Sequence, residues 1–522
     1  MKSVPWLVLP AVLLFSAASV GEPIRSSRPA GACQVLGALE DSNDDPLFRV
    51  LANSSSCPKD VFELRDALRL GGLSMTPFLV SNHGFHNLRA QRAVRAMLFE
   101  EVTGTMGERA ISSGEFFFGH FLGGPRVERL DPLQTGDDLL VEAIAWDSRK
   151  GVFNYYELTT EDGRKGWFYR GDSLDIARDL EQLYRGSVTG RSLRCSGCHR
   201  NGGPIMKELS SPHNDWWTKA RPLPLHQVSV EARLQPIFSG VADAARLADS
   251  VRKGIEKLGA SPRYREARRR LTLPERLRPL FCPMELSLAS DSAPLTDGAD
   301  TVAIPPEFFV DSRLVASASP VRISRSHYRA VLARSRSVLG DTGSEDSDHG
   351  WLSPIKDPAD LAAVDALVEE GLIDDEFVTD VLAVDVTAPA YSMARCELLQ
   401  SVPLQDTDQW KDRFRERLSA TSSEGAKELL QNFVQTERNA QHHRDRARGL
   451  LRACSEVLVE EKNVESLFRL LQQRREEIRT SPLAQSLEDG FRTVFPHSRE
   501  LDFAPQPGSL RLDDACRVVP AR

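Results

Sequence analysis

The chain has 522 residues, of which 41% are hydrophobic, enough for roughly two or three folded units of about 150 residues each. This composition can bury a substantial core, and it excludes a wholly disordered or collagen-like chain. Lys and Arg number 66 and Asp and Glu number 74, which gives a net charge of −8. Because nucleic-acid binding needs a net basic face, we expect no nucleic-acid partner.

The first 21 residues have the pattern of a secretory signal peptide. Lys2 supplies the positive charge, residues 4–20 are almost uninterruptedly apolar, and small residues precede Gly21. The apolar run is shorter than the roughly 20 residues that span a bilayer, and Pro10 interrupts it. We therefore expect cleavage and export, to the periplasm or beyond, with no membrane span left in the mature protein.

Cys195, Cys198 and His199 form a C-x-x-C-H motif, which is typical of covalent c-type haem attachment. Each thiol at this spacing can form a thioether with one vinyl group of the haem, and the histidine that follows becomes the proximal iron ligand. A thioredoxin-like pair, a zinc half-site and a plain disulfide are the alternatives. Nothing around the motif indicates the βαβ unit of a thioredoxin-like pair, and the second nearby Cys or His pair of a zinc site is missing. The sequence contains one such motif, which predicts one covalently bound haem c.

The second axial ligand of the iron stays open at this stage. Met284, His213 and Met206 are the candidates, with Met284 slightly favoured because it follows a helical region. Methionine or histidine gives an electron carrier, whereas an open position admits peroxide or oxygen. Pro204 is a candidate for the backbone carbonyl that orients the His199 ring.

The other six cysteines are even in number and can form disulfides in an oxidising compartment. Cys33 and Cys57 would close a short N-terminal loop. The remaining four allow three pairings, and Cys282 with Cys396 is slightly favoured because both end helical-looking stretches.

The periodicity of apolar residues changes along the chain. Residues 61–70 and 87–102 have helical spacing, whereas 138–146 alternates like a strand. Residues 152–158 and 166–169 flank a turn signal and predict a β-hairpin. Helix formers dominate three further stretches, residues 228–280, 357–382 and 409–495.

The haem segment, residues 193–217, resembles a group of exported bacterial proteins that contain a cytochrome c domain with a single C-x-x-C-H haem motif. Residues 145–158 and 380–399 belong to the same pattern, so the resemblance touches roughly residues 140–400. It implies haem binding and electron transfer, with no established substrate. The chain departs from small soluble cytochromes c by several hundred added residues.

Taken with this resemblance, the patterns predict a mainly α protein. A cytochrome c-like haem domain is expected between an α+β N-terminal region with a small antiparallel sheet and a helical C-terminal region. The predicted segments are the signal peptide (1–21), a loop-rich segment (22–58), the α+β region (59–190), the haem domain (191–290), a loop-rich connector (291–356) and the C-terminal region (357–522).

Two functional classes follow from the motif. The first is an exported mono-haem cytochrome that transfers electrons between periplasmic redox partner proteins. The alternative is a haem enzyme of the peroxidase or oxidase type, with an open iron position. The sequence identifies no catalytic residue and does not decide between them.

Overall fold

The computed structural model of the chain describes residues 33–38, 43–82, 95–121, 141–161, 163–177, 195, 199, 201–204, 240–242, 244–282, 285–289, 300–304, 306–315, 317–339, 353–356, 358–405, 407–434, 439–479, 492–494 and 510–520. The predicted signal peptide lies outside these residues. Within them, no helix combines the length and apolar character that a bilayer crossing requires.

An eight-stranded sheet forms the N-terminal part of the described chain. Its strands are β1 (Val35–Leu36), β2 (Leu73–Asn82), β3 (Arg95–Met106), β4 (Arg109–Ile111), β5 (Phe116–Phe121), β6 (Val141–Asp147), β7 (Val152–Glu161) and β8 (Arg164–Asp172). The order is β1-β8-β7-β6-β5-β3-β2, with β4 paired to β3. β1 runs parallel to β8 and the other pairs are antiparallel. The sheet is therefore mixed.

Two short helices cover one face of this sheet, α1 (Pro46–Asn53) and α2 (Val61–Leu70). Asp45 starts α1 by accepting a hydrogen bond from the Phe48 N–H, and Asp60 caps α2 in the same way. Successive strand residues point to opposite faces, so Phe116 and Phe118 pack towards these helices.

The opposite face of the sheet packs against α3 (Ala244–Ala260) and α4 (Pro262–Arg269). Phe117, Tyr155 and Phe153 point to this side and share a core cluster with Val251 of α3 and with Cys195. The sequence motif therefore lies on the sheet, on the side away from α1 and α2.

The C-terminal body follows as a mostly helical unit with its own core, from Leu273 to Cys516. Its helices are α5 (Leu273–Phe281), α6 (Arg325–Leu339), α7 (Pro358–Glu369), α8 (Asp375–Ala383), α9 (Met393–Leu398), α10 (Trp410–Ser419), α11 (Glu424–Val434), α12 (Asn439–Val457) and α13 (Glu461–Arg479). Single 3₁₀ turns lie at Pro306–Phe308, Ser312–Leu314 and Leu399–Ser401.

Three small antiparallel sheets accompany these helices. Their strands are β9 (Glu285–Ala289), β10 (Thr301–Ile304), β11 (Val321–Ser324), β12 (Ser353–Lys356), β13 (Arg492–Val494), β14 (Leu510–Leu512) and β15 (Val518–Pro520). β10 pairs with β11, β9 lies between β12 and β13, and β14 pairs with β15.

Three disulfides connect the described residues. Cys33–Cys57 lies in the sheet region, whereas Cys282–Cys396 and Cys454–Cys516 lie in the C-terminal body. The pairing of Cys282 with Cys396, which the sequence favoured, is confirmed. The loop-closing pair at the N-terminus is confirmed as well.

The predicted fold class is wrong. The structure has a large mixed sheet where the sequence predicted a small antiparallel one, and Cys195 packs on that sheet instead of in a separate, cytochrome c-like helical domain. The prediction of a helix over residues 87–102 is wrong for the described residues 95–102. It was based on apolar residues that include Ala90, Val94 and Leu98, and their spacing of four fits both the helical period and strand alternation. In the structure Arg95–Met106 is a strand.

Regular elements also occupy two segments that the sequence predicted to be loop-rich. α1 lies within residues 22–58, and β10, β11, α6 and β12 lie within 291–356. The strands β10, β11 and β12 are only four residues long, which is too short for the periodicity of apolar residues to predict them. Longer patterns were read correctly: α2 spans 61–70 as predicted, and β7 and β8 form the predicted hairpin.

Candidate functional site

The backbone around His199 forms a compact turn. The His199 N–H donates to the Cys195 carbonyl at 2.6 Å, and the Gly202 N–H donates to the His199 carbonyl at 2.7 Å. Gly202 has φ +71°, and a Cβ at this position would collide with the backbone carbonyl of Ser173. The turn therefore requires glycine at position 202, both for its conformation and for its close approach to Ser173.

A backbone carbonyl fixes the orientation of the His199 ring. Nδ1 lies 2.7 Å from the carbonyl oxygen of Gly203. Because a carbonyl can only accept a hydrogen bond, Nδ1 of the neutral ring carries the proton and Nε2 carries the lone pair. The sequence pointed to Pro204 for this carbonyl, and the structure places the carbonyl one residue earlier. A metal-binding histidine typically has this arrangement.

Two tyrosines from distant elements hold the turn in place. The Tyr155 hydroxyl, from β7, donates to the Gly203 carbonyl at 3.1 Å, and the Tyr155 ring lies edge-on to the His199 ring at 5.2 Å. The Tyr264 hydroxyl, from α4, donates to the Asn201 carbonyl at 2.8 Å. Burial raises the pKa of Tyr155 well above its ordinary value, so its hydroxyl stays protonated and remains a donor.

His199 and Pro204 line a pocket between the sheet and α3, which we call the histidine pocket. It contains about 420 Å³ of empty space, open solvent included. Its other described lining residues are mostly apolar: Phe99, Phe117, Phe118, Gly119, Glu142, Ala143, Ile144, Leu247 and Val251. An apolar pocket at a histidine whose Nε2 carries the lone pair suits a large apolar group that bears a metal.

α3 can approach this site closely because Gly254 has no side chain. A Cβ at position 254 would lie 2.7 Å from both the Pro204 Cγ and the Gly114 carbonyl oxygen. The helix therefore packs directly on the turn and on the sheet, and it closes one wall of the histidine pocket.

Some of the predicted site residues are among those that the structure describes. Cys195 is buried, with 5% of its surface exposed, and it packs in the same core cluster as Tyr155. Cys198 lies outside the described residues. The three candidates for the distal ligand, Met206, His213 and Met284, also lie outside them and stay predictions.

The described residues fit a covalently attached haem. They provide a histidine whose Nδ1 is hydrogen-bonded to a backbone carbonyl, an apolar pocket beside its ring and a buried cysteine four residues before it. Sequence reasoning missed Tyr155, Tyr264 and the strand residues of the histidine pocket, because nothing local in the sequence relates them to the motif.

No family model, curated protein or solved structure matches the chain. The function proposed below therefore rests on the motif and on the geometry of the chain itself.

Proposed function

We propose that this protein is an exported mono-haem c-type cytochrome that transfers electrons between redox partner proteins. Cys195 and Cys198 would hold the haem covalently, and His199 would be the proximal iron ligand. The observation that carries the proposal is the hydrogen bond from His199 Nδ1 to the Gly203 carbonyl, at the edge of an apolar pocket. By holding the proton on Nδ1, this bond places the lone pair on Nε2, the atom that would bind the iron of a haem attached at the motif.

Haem bound at this position would supply a reversible one-electron iron couple. The residues of the chain would set its properties. The Gly203 carbonyl makes Nε2 a stronger electron-pair donor to a metal by accepting a hydrogen bond from the Nδ1–H, and Tyr155 contacts both the carbonyl and the ring. Apolar side chains such as Phe117 and Val251 line the pocket at His199, and the polarity of the surroundings is one of the factors that set the reduction potential of a haem.

Export is part of the proposal. The N-terminal 21 residues have the signal-peptide pattern, and three disulfides support an oxidising compartment. The periplasm is also where bacteria attach c-type haem. The electron donor and acceptor would therefore be periplasmic proteins.

The test is haem staining after denaturing electrophoresis of the protein expressed with its leader. A covalent haem keeps its stain, and Cys198→Ala should weaken or abolish it. His199→Ala should give a haem-free or high-spin product, because the ring is already oriented as a ligand. His442→Ala, which changes an exposed histidine, is the matched control and should keep the wild-type spectrum.

Haem that acid acetone extracts from the wild type would contradict the proposal, as would a normal low-spin spectrum from His199→Ala. Carbon monoxide separates the carrier from the haem enzyme. A reduced spectrum that the gas leaves unchanged supports the carrier, whereas a shifted spectrum indicates an accessible iron and a peroxidase or oxidase instead.

A further inference from the structure

A second pocket lies on the other side of the His199 turn, between α3, α4, α5 and α7. It contains about 760 Å³ of empty space, open solvent included. Its wall is apolar, with Ile255 and Leu258 from α3 and Leu367 with four alanines from α7. A ligand with an apolar body would gain from covering this wall, because burial removes apolar surface from water.

Four arginines belong to the lining of this pocket, which we call the arginine pocket. Its guanidinium groups belong to Arg265, Arg268, Arg269 and Arg276. Glu369 pairs with Arg265 at 3.3 Å. Glu370 pairs with Arg269 at 3.3 Å and with Arg276 at 3.2 Å. Four positive charges thus face two negative ones, although the whole chain carries a net charge of −8.

Arg268 is the arginine best placed to take a ligand. Its guanidinium lies 5.9 Å from the centre of the Tyr264 ring, and no carboxylate of the described residues forms an ion pair with it. A guanidinium presents a planar pair of N–H donors that matches a carboxylate in two parallel hydrogen bonds.

We propose that the arginine pocket binds a small organic anion: a monocarboxylate whose aliphatic chain lies on the alanines of α7 and whose head group meets Arg268. Gly203 and Pro204 also line this pocket, so the ligand would contact the turn that orients His199. The site is formed by protein atoms alone, and the proposal does not rest on haem binding.

Isothermal titration of decanoate into the full-length protein tests this proposal, with 1-decanol as the neutral analogue. Arg268→Gln removes the charged partner, and Ala363→Phe fills the apolar wall. Arg270→Gln is the matched control, because this exposed arginine lies two residues further along, pairs with Glu266 and does not line the pocket. Thermal unfolding of each variant establishes that it is folded.

We expect saturable binding of one decanoate per chain. Arg268→Gln should weaken it about tenfold or more, as for loss of a charge-assisted hydrogen bond, and Ala363→Phe should abolish it. Arg270→Gln should change the affinity less than about twofold, and decanol should bind about tenfold more weakly than decanoate. Absence of saturable binding, equal weakening by the two arginine variants, or equal affinity for decanol would overturn the proposal.

The same titration on Cys198→Ala separates this proposal from the haem proposal. Decanoate binding that persists in this variant supports an anion site independent of haem. A wild-type protein that binds decanoate but carries no covalent haem would overturn the proposed function and leave the anion site standing.

Discussion

The turn at His199 in the sheet region and the core of the C-terminal body are held together in different ways. In the sheet region, the turn at His199 is fixed by single hydrogen bonds from Tyr155 and Tyr264, which are donated from other elements. The C-terminal body has one continuous apolar core and two disulfides. The comparison indicates that the candidate site depends on a few directional contacts, whereas the C-terminal body depends on apolar packing and cross-links.

Two buried carboxylates, one from each region, differ in their partners. Burial raises the pKa of Asp45, in the sheet region, from 3.8 to about 6, against the lowering effect of hydrogen bonds from Tyr156 and Phe48. Burial also acts to raise the pKa of Asp311, in the C-terminal body, but the ammonium of Lys356 at 2.6 Å lowers it overall. Asp45 thus lies buried with neutral hydrogen-bond donors and near Asp147, whereas Asp311 forms a buried ion pair with Lys356.

The largest expected effect is the loss of stability when a disulfide is removed, and it should differ between the two regions. Replacing both Cys282 and Cys396 with alanine should lower the free energy of unfolding by about 5 kcal/mol, because the bond closes a loop of 114 residues. The same change at Cys33 and Cys57, 24 residues apart, should cost about 3.5 kcal/mol. Urea unfolding under non-reducing conditions measures both. An equal or larger loss for the short loop would mean that local packing, and not loop closure, sets the contribution.

The next largest effect is the destabilisation by alanine at two glycines that have the same left-handed backbone conformation. Gly202 and Gly371 have φ +71° and +72°, but only at Gly202 would a Cβ meet the backbone, at Ser173. Gly202→Ala should destabilise the protein by about 3–4 kcal/mol and reduce haem staining, whereas Gly371→Ala should cost about 1 kcal/mol. Urea unfolding and haem staining of both variants provide the check. Similar losses would show that the backbone conformation alone matters.

The pH dependence of the stability contribution should differ in sign between Asp45 and Asp311. The pKa of Asp45 is higher in the folded protein, so its contribution to stability is complete below pH 3.8 and is lost as the pH rises through about 6. Asp45→Asn should therefore gain roughly 3 kcal/mol relative to wild type between pH 4 and 7.

Asp311 is the control for this experiment. Its pKa is lowered in the folded protein, so its contribution is present above pH 3.8 and is lost as the pH falls below that value. Asp311→Asn should therefore show no relative gain between pH 4 and 7. Urea unfolding at four pH values measures the free energy of unfolding of each variant relative to wild type. The same pH profile for the two variants would contradict this prediction.

The smallest effect is the loss of stability when either tyrosine that contacts the turn is replaced by phenylalanine. Tyr264→Phe should cost about 1 kcal/mol, because it removes the hydroxyl that donates to the buried Asn201 carbonyl. Tyr155→Phe should cost less, since the Gly203 carbonyl still accepts the hydrogen bond from His199. Unfolding free energies of the two variants test the order. A larger loss for Tyr155→Phe would show that its hydroxyl, and not the imidazole, mainly holds that carbonyl.

Local signals in the sequence predicted a substantial part of the fold. Helix α2 and the β7–β8 hairpin were predicted because their periodicity and caps lie within ten or so neighbouring residues. β3 was predicted as a helix because a spacing of four residues does not distinguish the two periods. The neighbours that decide its conformation are β2 and β5, which pair with it.

The sequence by itself determined the residues on which the proposed haem attachment depends: two cysteines and a histidine in a C-x-x-C-H motif, after an apolar N-terminal segment. Only the tertiary structure decided which carbonyl orients His199, which tyrosines brace the turn and which apolar side chains form its pocket. The physical reason is distance along the chain. Tyr155 lies 48 residues from Gly203, and Tyr264 lies 63 residues from Asn201, so the folding of the sheet and of α4 brings these donors to the turn.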